Sequence, residues 1–289
     1  MKAHHWRPYF YIAPLVIVEL AIVILPALMN VGASFADWNG LTEPVFIGLD
    51  NYRTLIKDEV FHLAIRHNIQ WTIFFLTVPV TLALVAAVMA SRVKRGQMLF
   101  RTLYSIPYVV ATVVACQVWK YIINPAHGVG TQLVQLFGWE WADVSLLGTR
   151  DTVLWTIAGI NNWHWWGFIM ILLLSAMQSI PPDLYDAAKA DGASGWQEFV
   201  HVIIPGIRPT LVYVLIMTAA ASFLTFNYVW ILTQGGPGHG SELLSTYMFK
   251  TAFFKFDVGY SSAIALGMTA FAGSFALLFT LLNKLGWEV

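Results

Sequence analysis

The sequence predicts an all-α membrane protein with six transmembrane helices, and three observations carry that prediction. Residues 9–33, 70–90, 103–119, 154–177, 209–232 and 262–283 form six apolar stretches, each close to the roughly 17–25 residues that a helix needs to cross hydrocarbon. The chain of 289 residues is 58% hydrophobic and 11% charged, with a mean hydropathy of +0.65, where a soluble domain carries about 45–50% apolar and about 25% charged residues. It also holds thirteen Trp and eleven Tyr, rings that collect at the two membrane interfaces. Runs this long satisfy their own backbone in lipid as helices rather than as barrel strands. The net charge is zero, so no global field points to a nucleic-acid partner. The single cysteine, Cys116, cannot form an internal disulfide.

The first span follows a basic start, "MKAHHWRPYFYIAPLVIVEL", as a secretory signal does, and Ser34-Phe35-Ala36 would serve as a cleavage site. Its apolar run exceeds the 7–15 residues of a signal core, so an uncleaved helix is the better reading. Ahead of the second span, "NYRTLIKDEVFHLAIRHN" (51–68) has the pattern of an amphipathic outer helix. Behind it, Ser91-Arg-Val-Lys-Arg95 with Arg101 makes a short basic loop. With the N-terminus in the cytoplasm, nine of the sixteen Lys and Arg fall in 57 inner residues and seven in 99 outer ones. That bias places both termini inside. After the fifth span, "GGPGHGSELLSTYMFKTAFF" reads as a glycine-rich outer turn leading into a helix. No repeat or long linker divides the chain, so 1–289 reads as one membrane domain.

Between the fourth and fifth spans the apolar pattern stops, from Pro181 to Pro209: "PPDLYDAAKADGASGWQEFVHVIIPGIRP". Pro181-Pro182 end the fourth span, and Pro182 suits the first turn of a new helix. Asp183 and Asp186 complement its dipole. Leu184, Ala187 and Ala188 give it a small apolar side. Asp191-Gly192 breaks it, with Gly192 free to take a positive φ. Ser194 and Gln197 have the spacing of a capping box that starts a second helix, on which Trp196, Phe199, Val200, Ile203 and Ile204 recur at helical spacing. Pro205 and Pro209 should then disturb the chain before the fifth span. Two short helices with a glycine elbow fit either an amphipathic loop resting on the membrane or a docking element for a cytoplasmic partner.

Asp186-Ala-Ala-x-x-Asp-Gly-Ala193, with Trp196, Phe199 and Pro205 at their offsets, resembles the EAA loop of the permease subunits of bacterial ATP-binding-cassette importers. "SFADWNG", "FIGLDNYRTL", "LFRTLYSIPYVVATVVACQVWKYIINP", "MQSIPPDLYDAAKADGASGWQEF" and "LTQGGPG" extend the resemblance over nearly the whole chain. They are most similar to the first of the two paired permeases in the carbohydrate branch. The resemblance implies the type I importer permease fold in a bacterial inner membrane. It makes Leu184, Tyr185, Asp186, Ala187, Ala188, Asp191 and Gly192 a coupling helix seated in a separate ATPase subunit. It also implies a second permease, two ATPase copies that hold ATP and Mg, a periplasmic or extracellular solute-binding protein, a sugar-type substrate, and rocking between inward-open and outward-open states. This chain itself would carry no cofactor. Asp186 departs from the family's usual Glu, one methylene shorter, and Val202 from its usual Ile. The maltose-type relative has extra N-terminal spans and a large outer insertion that this chain lacks, so short outer loops would meet the binding protein.

Two further constellations bear on a solute path. Thr218, Ser222 and Thr225 share one face of the fifth span, where small hydroxyls line a path or let helices pack closely. In "GINNWHWWGF" the fourth span gathers Asn161, Asn162, His164, Trp165, Trp166 and Phe168. Rings beside amide and imidazole groups suit a sugar; the bland alternative is an interfacial aromatic belt. Counting from the EAA loop, the sugar-contacting turns of the maltose-type relative fall on His164, Trp165 and Phe168 and on Thr218, Ser222 and Thr225. Glu19 is the one acid inside a span, either a structural partner for another helix or the core of a gradient-driven mechanism. The chain has no Gly-Lys-Ser/Thr phosphate loop and no nucleophile–base signature, so catalysis by this chain, including ATP hydrolysis, is not expected. A gradient-driven transporter and a membrane-embedded enzyme are the rival classes.

Overall fold

A computed structural model describes residues 7–93, 96–137 and 145–284. Lys2, Lys94 and Arg95, part of the basic bias above, lie outside them. Helices dominate. α1 (Arg7–Glu19) runs through a π-helical turn, Leu20–Ile24, into α2 (Leu25–Ala33). A two-stranded ladder, β1 (Ala36–Asp37) with β2 (Val45–Phe46), precedes α3 (Asp50–Lys57) and α4 (Glu59–Ser91). Then come α5 (Gln97–Val109), α6 (Thr112–Ile122), α7 (Val129–Leu136) and α8 (Val153–Gln178). After α9 (Pro182–Ala190) and α10 (Gly195–Glu198), a second π-helical turn, Phe199–Ile203, leads into α11 (Ile204–Phe223). α12 (Asn227–Leu232), α13 (Leu244–Phe253) and α14 (Val258–Lys284) complete the described chain.

Among the described residues, Tyr11–Ala33, Glu59–Ser91, Val153–Gln178 and Gly195–Phe223 are each long and apolar enough to cross a bilayer. Met98–Val109 and Thr112–Ile122 pass the same test as a pair bent by 92°. The expected stretch 262–283 lies within the 27 residues of α14.

Three expectations need correction. The stretch 103–119 is not one straight span, because the chain turns between α5 and α6 at Val110 and Ala111, both extended (ψ 132 and 133). Pro107 has already removed one helical N–H there, and β-branched valines tolerate the extended backbone. The fifth span does not run 209–232. It is continuous from Gly195 to Phe223 and breaks at Leu224–Phe226 before α12. Pro205 and Pro209 are absorbed, since the wide π-helical turn just before Pro205 makes room for a ring that would strike a carbonyl one turn back. Residues 51–68 are not one helix either. Asp58 stops α3 and starts α4, its Oδ1 accepting the amides of Val60 (2.8 Å) and Phe61 (3.2 Å).

The chain divides into two compact units, residues up to 61 with 247–270, and residues 62–246 with those from 271. In the first unit, Asn51 Nδ2 donates to the carbonyls of Ser34 (3.0 Å) and Ala36 (2.9 Å). Asp58 Oδ2 accepts the hydroxyls of Tyr247 and Tyr260, each at 2.5 Å. Burial pushes the Asp58 carboxyl up, but those two hydroxyls and the amides of Phe61 and Val60 outweigh it and hold it below its ordinary value. The helix Tyr11–Ala33 leaves its apolar side chains uncovered, and Glu19 is exposed on it.

In the second unit α8 is the central post. Its N-terminal half, including Val153, Ile157 and Ala158, packs with Trp71 and Phe75 of α4, Cys116 of α6 and Tyr228 and Val229 of α12. Its C-terminal half, including Ile169, Leu173 and Met177, packs with Val80, Ala83 and Ala87 of α4 and with Ile203, Ile207 and Val214. The alanines at Ala83 and Ala87 keep α4 close, as small residues do between membrane helices. The middle of α8, from Asn161 to Phe168, lies between these two cores.

Candidate functional site

The chain offers two sites. The first is the polar interruption after α8. α9 opens on Pro182 with Asp183 in its first turn and Lys189 in its last, each sign suited to its end of the dipole. It closes in a Schellman motif: Gly192 N–H donates to the Lys189 carbonyl (3.0 Å) and Ala193 N–H to the Ala188 carbonyl (2.9 Å). Gly192 sits at φ +72, and a Cβ there would meet nothing within 4 Å. The demand for glycine is thus conformational and not steric. The capping box forms, with Ser194 N–H donating to Gln197 Oε1 (2.7 Å) and Gln197 N–H to Ser194 Oγ (3.4 Å).

Leu184, Asp186, Ala187, Asp191 and Gly192 are exposed, Ala188 is half-buried, and no residue of α9 is buried. Leu184 leaves 51% of its surface open. Tyr185 points the other way. It packs against the core around α8, its hydroxyl 3.5 Å from the Met177 carbonyl. Burial, then the Glu198 carboxylate, push its phenol up. Phe199 also packs on that core, whereas Trp196 remains 71% exposed. Arg92, at the end of α4, reaches Glu198 at 3.6 Å and covers Gly195.

The second site is a cavity of about 510 Å³ at the middle of α8, where the α5–α6 and α11–α12 breaks meet. Asn161, His164 and Trp165 line it from α8, and Thr218, Ser222 and Thr225 from α11 and its end. Five of the six expected path residues therefore share one cavity. Phe168 does not line it. It stacks behind the lining ring of Tyr108, centroids 4.5 Å apart. Asn162 and Trp166, on the same helix, also lie off the cavity lining, and Trp166 packs on Tyr104 (5.0 Å).

His164 holds the breaks together. Its Nε2 is 2.8 Å from the Val110 carbonyl, freed by the end of α5. A carbonyl only accepts, which puts the proton on Nε2. In the neutral ring Nδ1 then accepts the Tyr228 hydroxyl at 2.5 Å. Tyr228 also bonds the Thr112 side chain. One imidazole so ties the α5 end to α12, and Tyr228 ties α12 to the α6 start. On the far break, Ser245 Oγ donates to the Thr225 carbonyl (2.5 Å). Ser222 and Thr225 donate back to the carbonyls of Thr218 (2.7 Å) and Ala221 (3.0 Å), bonds that loosen a helix near its end.

Comparison with known proteins agrees with this architecture. Binding-protein-dependent transport system inner membrane components, as a family, match residues 79–285. The chain belongs to that family. It is 35% identical over 261 residues to the probable ABC transporter permease protein YurN of Bacillus subtilis (strain 168), covering 89% of each chain. It is 31% identical to the multiple sugar-binding transport system permease protein MsmF of Streptococcus mutans, covering 97% of this chain and 96% of that one. In fold it matches a chain of a bacterial alginate ABC transporter solved with an alginate pentasaccharide-bound periplasmic protein, with a TM-score of 0.87 at 21% identity, covering 98% and 96%. The chain is thus a sugar-type ABC permease of the inner membrane, a transport component with the type I importer permease fold.

Sequence reasoning missed much of this permease's cavity wall: Trp71 and Phe75 on α4, Tyr108 to Thr112 at the first break, and Phe226 to Tyr228 at the second. Pro107 before the first break and Ser222/Thr225 before the second were the available signals. Nothing local announces that α4 contributes.

Proposed function

We propose that the chain forms half of the translocation path of an ATP-driven, binding-protein-dependent importer of a sugar or sugar derivative, and that it couples to ATPase subunits through α9. The observation that carries this reading is the cavity at the two breaks. Broken helices inside a bilayer persist only where their freed backbone is buried in protein or lines a cavity. Rings, hydroxyls and two amides around about 510 Å³ suit a hydroxylated solute. His164, Trp165, Thr218, Ser222 and Thr225 face the solute, and Phe168 backs Tyr108.

On this reading α9 presents Leu184, Asp186, Ala187, Ala188, Asp191 and Gly192 to a cleft in a separate ATPase subunit, while Tyr185 fixes the helix to the membrane core. Closure of the ATPase pair pushes α9 and rocks the permease between inward-open and outward-open states. Two ATPase copies hold ATP and Mg, a second permease supplies the other half of the path, and a periplasmic or extracellular binding protein delivers the solute. Both termini lie in the cytoplasm, and 1–289 works as one membrane domain. The named relatives support the sugar class and the binding-protein partner.

The test is stimulated ATP hydrolysis and uptake in liposomes holding the full assembly, read with glucose, maltose, galacturonate and glycerol 3-phosphate. Ser222→Leu should fill the cavity and cut uptake at least about tenfold. Gly192→Val, a β-branched residue at positive φ, should remove both uptake and stimulated hydrolysis while the chain still inserts. Uptake that persists without the ATPase subunits, follows a proton gradient and vanishes in Glu19→Gln would replace this reading with a gradient-driven one.

A further inference from the structure

The cavity wall holds two polar hydrogens with nothing to bond. Trp71 on α4 and Thr218 on α11 line the cavity and are each 1% exposed. Neither Trp71 Nε1 nor Thr218 Oγ1 has a hydrogen-bond partner among the described residues. Their neighbours differ. His164 is bonded through both nitrogens, Tyr228 to His164 and Thr112, and Ser222 and Thr225 to backbone carbonyls. A buried polar group left unpaired costs about 1–3 kcal/mol, and native interiors leave few of them. Two on the wall of one cavity point to a partner that this chain does not supply.

Chemistry narrows that partner. An indole N–H only donates, so Trp71 needs an acceptor, whereas a threonine hydroxyl takes either role. Among the described residues, no Asp, Glu, Lys or Arg lines the cavity. A carboxylate or phosphate seated there would be desolvated with no counter-charge from this half of the path, and an ion desolvated without one costs several kcal/mol. A sugar hydroxyl accepts and donates without that cost. In this conformation the Trp71 ring is stacked on Phe75, centroids 5.0 Å apart.

We infer that Trp71 is a specificity-determining residue, that its indole N–H donates to a hydroxyl oxygen of an uncharged sugar with Thr218 as a second contact, and that this half of the path offers uronates and phosphate esters no counter-charge. This rests on the cavity being the solute path. Both atoms are covered in this conformation, so the bond belongs to a state in which they turn toward the cavity. Sugar favours that state because it binds it better.

The experiment is equilibrium binding of radiolabelled glucose, maltose, galacturonate and glycerol 3-phosphate to the purified permease–ATPase assembly, without binding protein. A neutral sugar should bind best, and Trp71→Phe, which keeps the stacked ring, should weaken it about tenfold, one hydrogen bond's worth. Thr218→Val keeps the shape and carries the same test should Trp71→Phe fail to fold. Preferred binding of galacturonate or glycerol 3-phosphate, no binding of either neutral sugar, or an affinity unchanged within about twofold in the folded variants overturns the inference. Uptake in Ser222→Leu separates the two claims. If that variant blocks uptake while Trp71→Phe leaves affinity intact, only this inference fails. If it transports normally, the path itself is misplaced.

Discussion

The helical chain is interrupted on the polar, exposed segment at Asp191–Ser194 and beside the cavity at Val110–Ala111 and Leu224–Phe226, and these breaks are held in opposite ways. The first is closed by bonds between residues at most five apart: the Schellman pair and the capping box. The others are closed from a distance. His164 reaches Val110 across 54 residues and Tyr228 across 64, and Ser245 reaches Thr225 across 20. The difference follows from the solvent. Water satisfies whatever an exposed turn leaves open, so that turn needs only its own sequence. Hydrocarbon satisfies nothing, so a break at membrane depth must borrow partners from other helices. A self-contained turn can be pushed as a unit without losing its bonds. Breaks tied across α5, α6, α8 and α12 must move together.

The strongest way to break the distant arrangement is at Gly167. A Cβ there would lie 1.9 Å from the Tyr104 carbonyl oxygen, so α5 and α8 meet backbone to backbone just before the first break. Gly167→Ala must force α5 outward and carry Tyr108 to Val110 with it. Overpacking against immovable backbone should cost about 3 kcal/mol or more. Thermal melting of the purified chain in detergent reads this as a large fall in Tm. A variant that melts with the wild type would mean that α5 swings free of α8.

A smaller effect tests whether the tie is the hydrogen bonds themselves. Tyr228→Phe leaves His164 Nδ1 buried without its donor, at about 1–2 kcal/mol. His164→Leu should cost a similar amount. Because both remove the same bond, the double variant should lose measurably less than the sum, with a coupling of at least about 0.5 kcal/mol. Strict additivity in melting or denaturant curves would show that the two side chains only pack.

The same contrast decides what could be read from the sequence. Pro182, Gly192, Ser194 and Gln197 act on their own neighbours, so the break at Asp191–Ser194 was legible to the residue. The straight membrane helices were legible from apolar length. The turn at Val110 was not, because its cause includes an imidazole 54 residues away, and the apolar pattern "IPYVVATVVA" continues through it unbroken. His164, Trp165, Thr218, Ser222 and Thr225 could be picked as polar or aromatic residues on two spans. Trp71 could not, since a tryptophan in an apolar run looks the same whether its N–H is satisfied or not. That Phe168 stacks behind Tyr108 is a tertiary fact that no local pattern carries.

The smallest effect should come from the local break. Ser194→Ala removes one half of the capping box, and an N-cap change of this kind costs about 1 kcal/mol. If the turn is self-contained, that cost stays where it arises. Amides at the start of α10, Gly195 to Gln197, should exchange with deuterium about fivefold faster, while Tm and the protection of α8 stay at wild-type values. The prediction is sharp because α10 is continuous with α11, which lines the cavity. Should Ser194→Ala lower Tm as far as Tyr228→Phe does, the turn at Asp191–Ser194 is bound into the helical core after all. Motion at α9 would then reach the cavity through a rigid Gly195–Phe223 helix and not through movement of a self-contained unit.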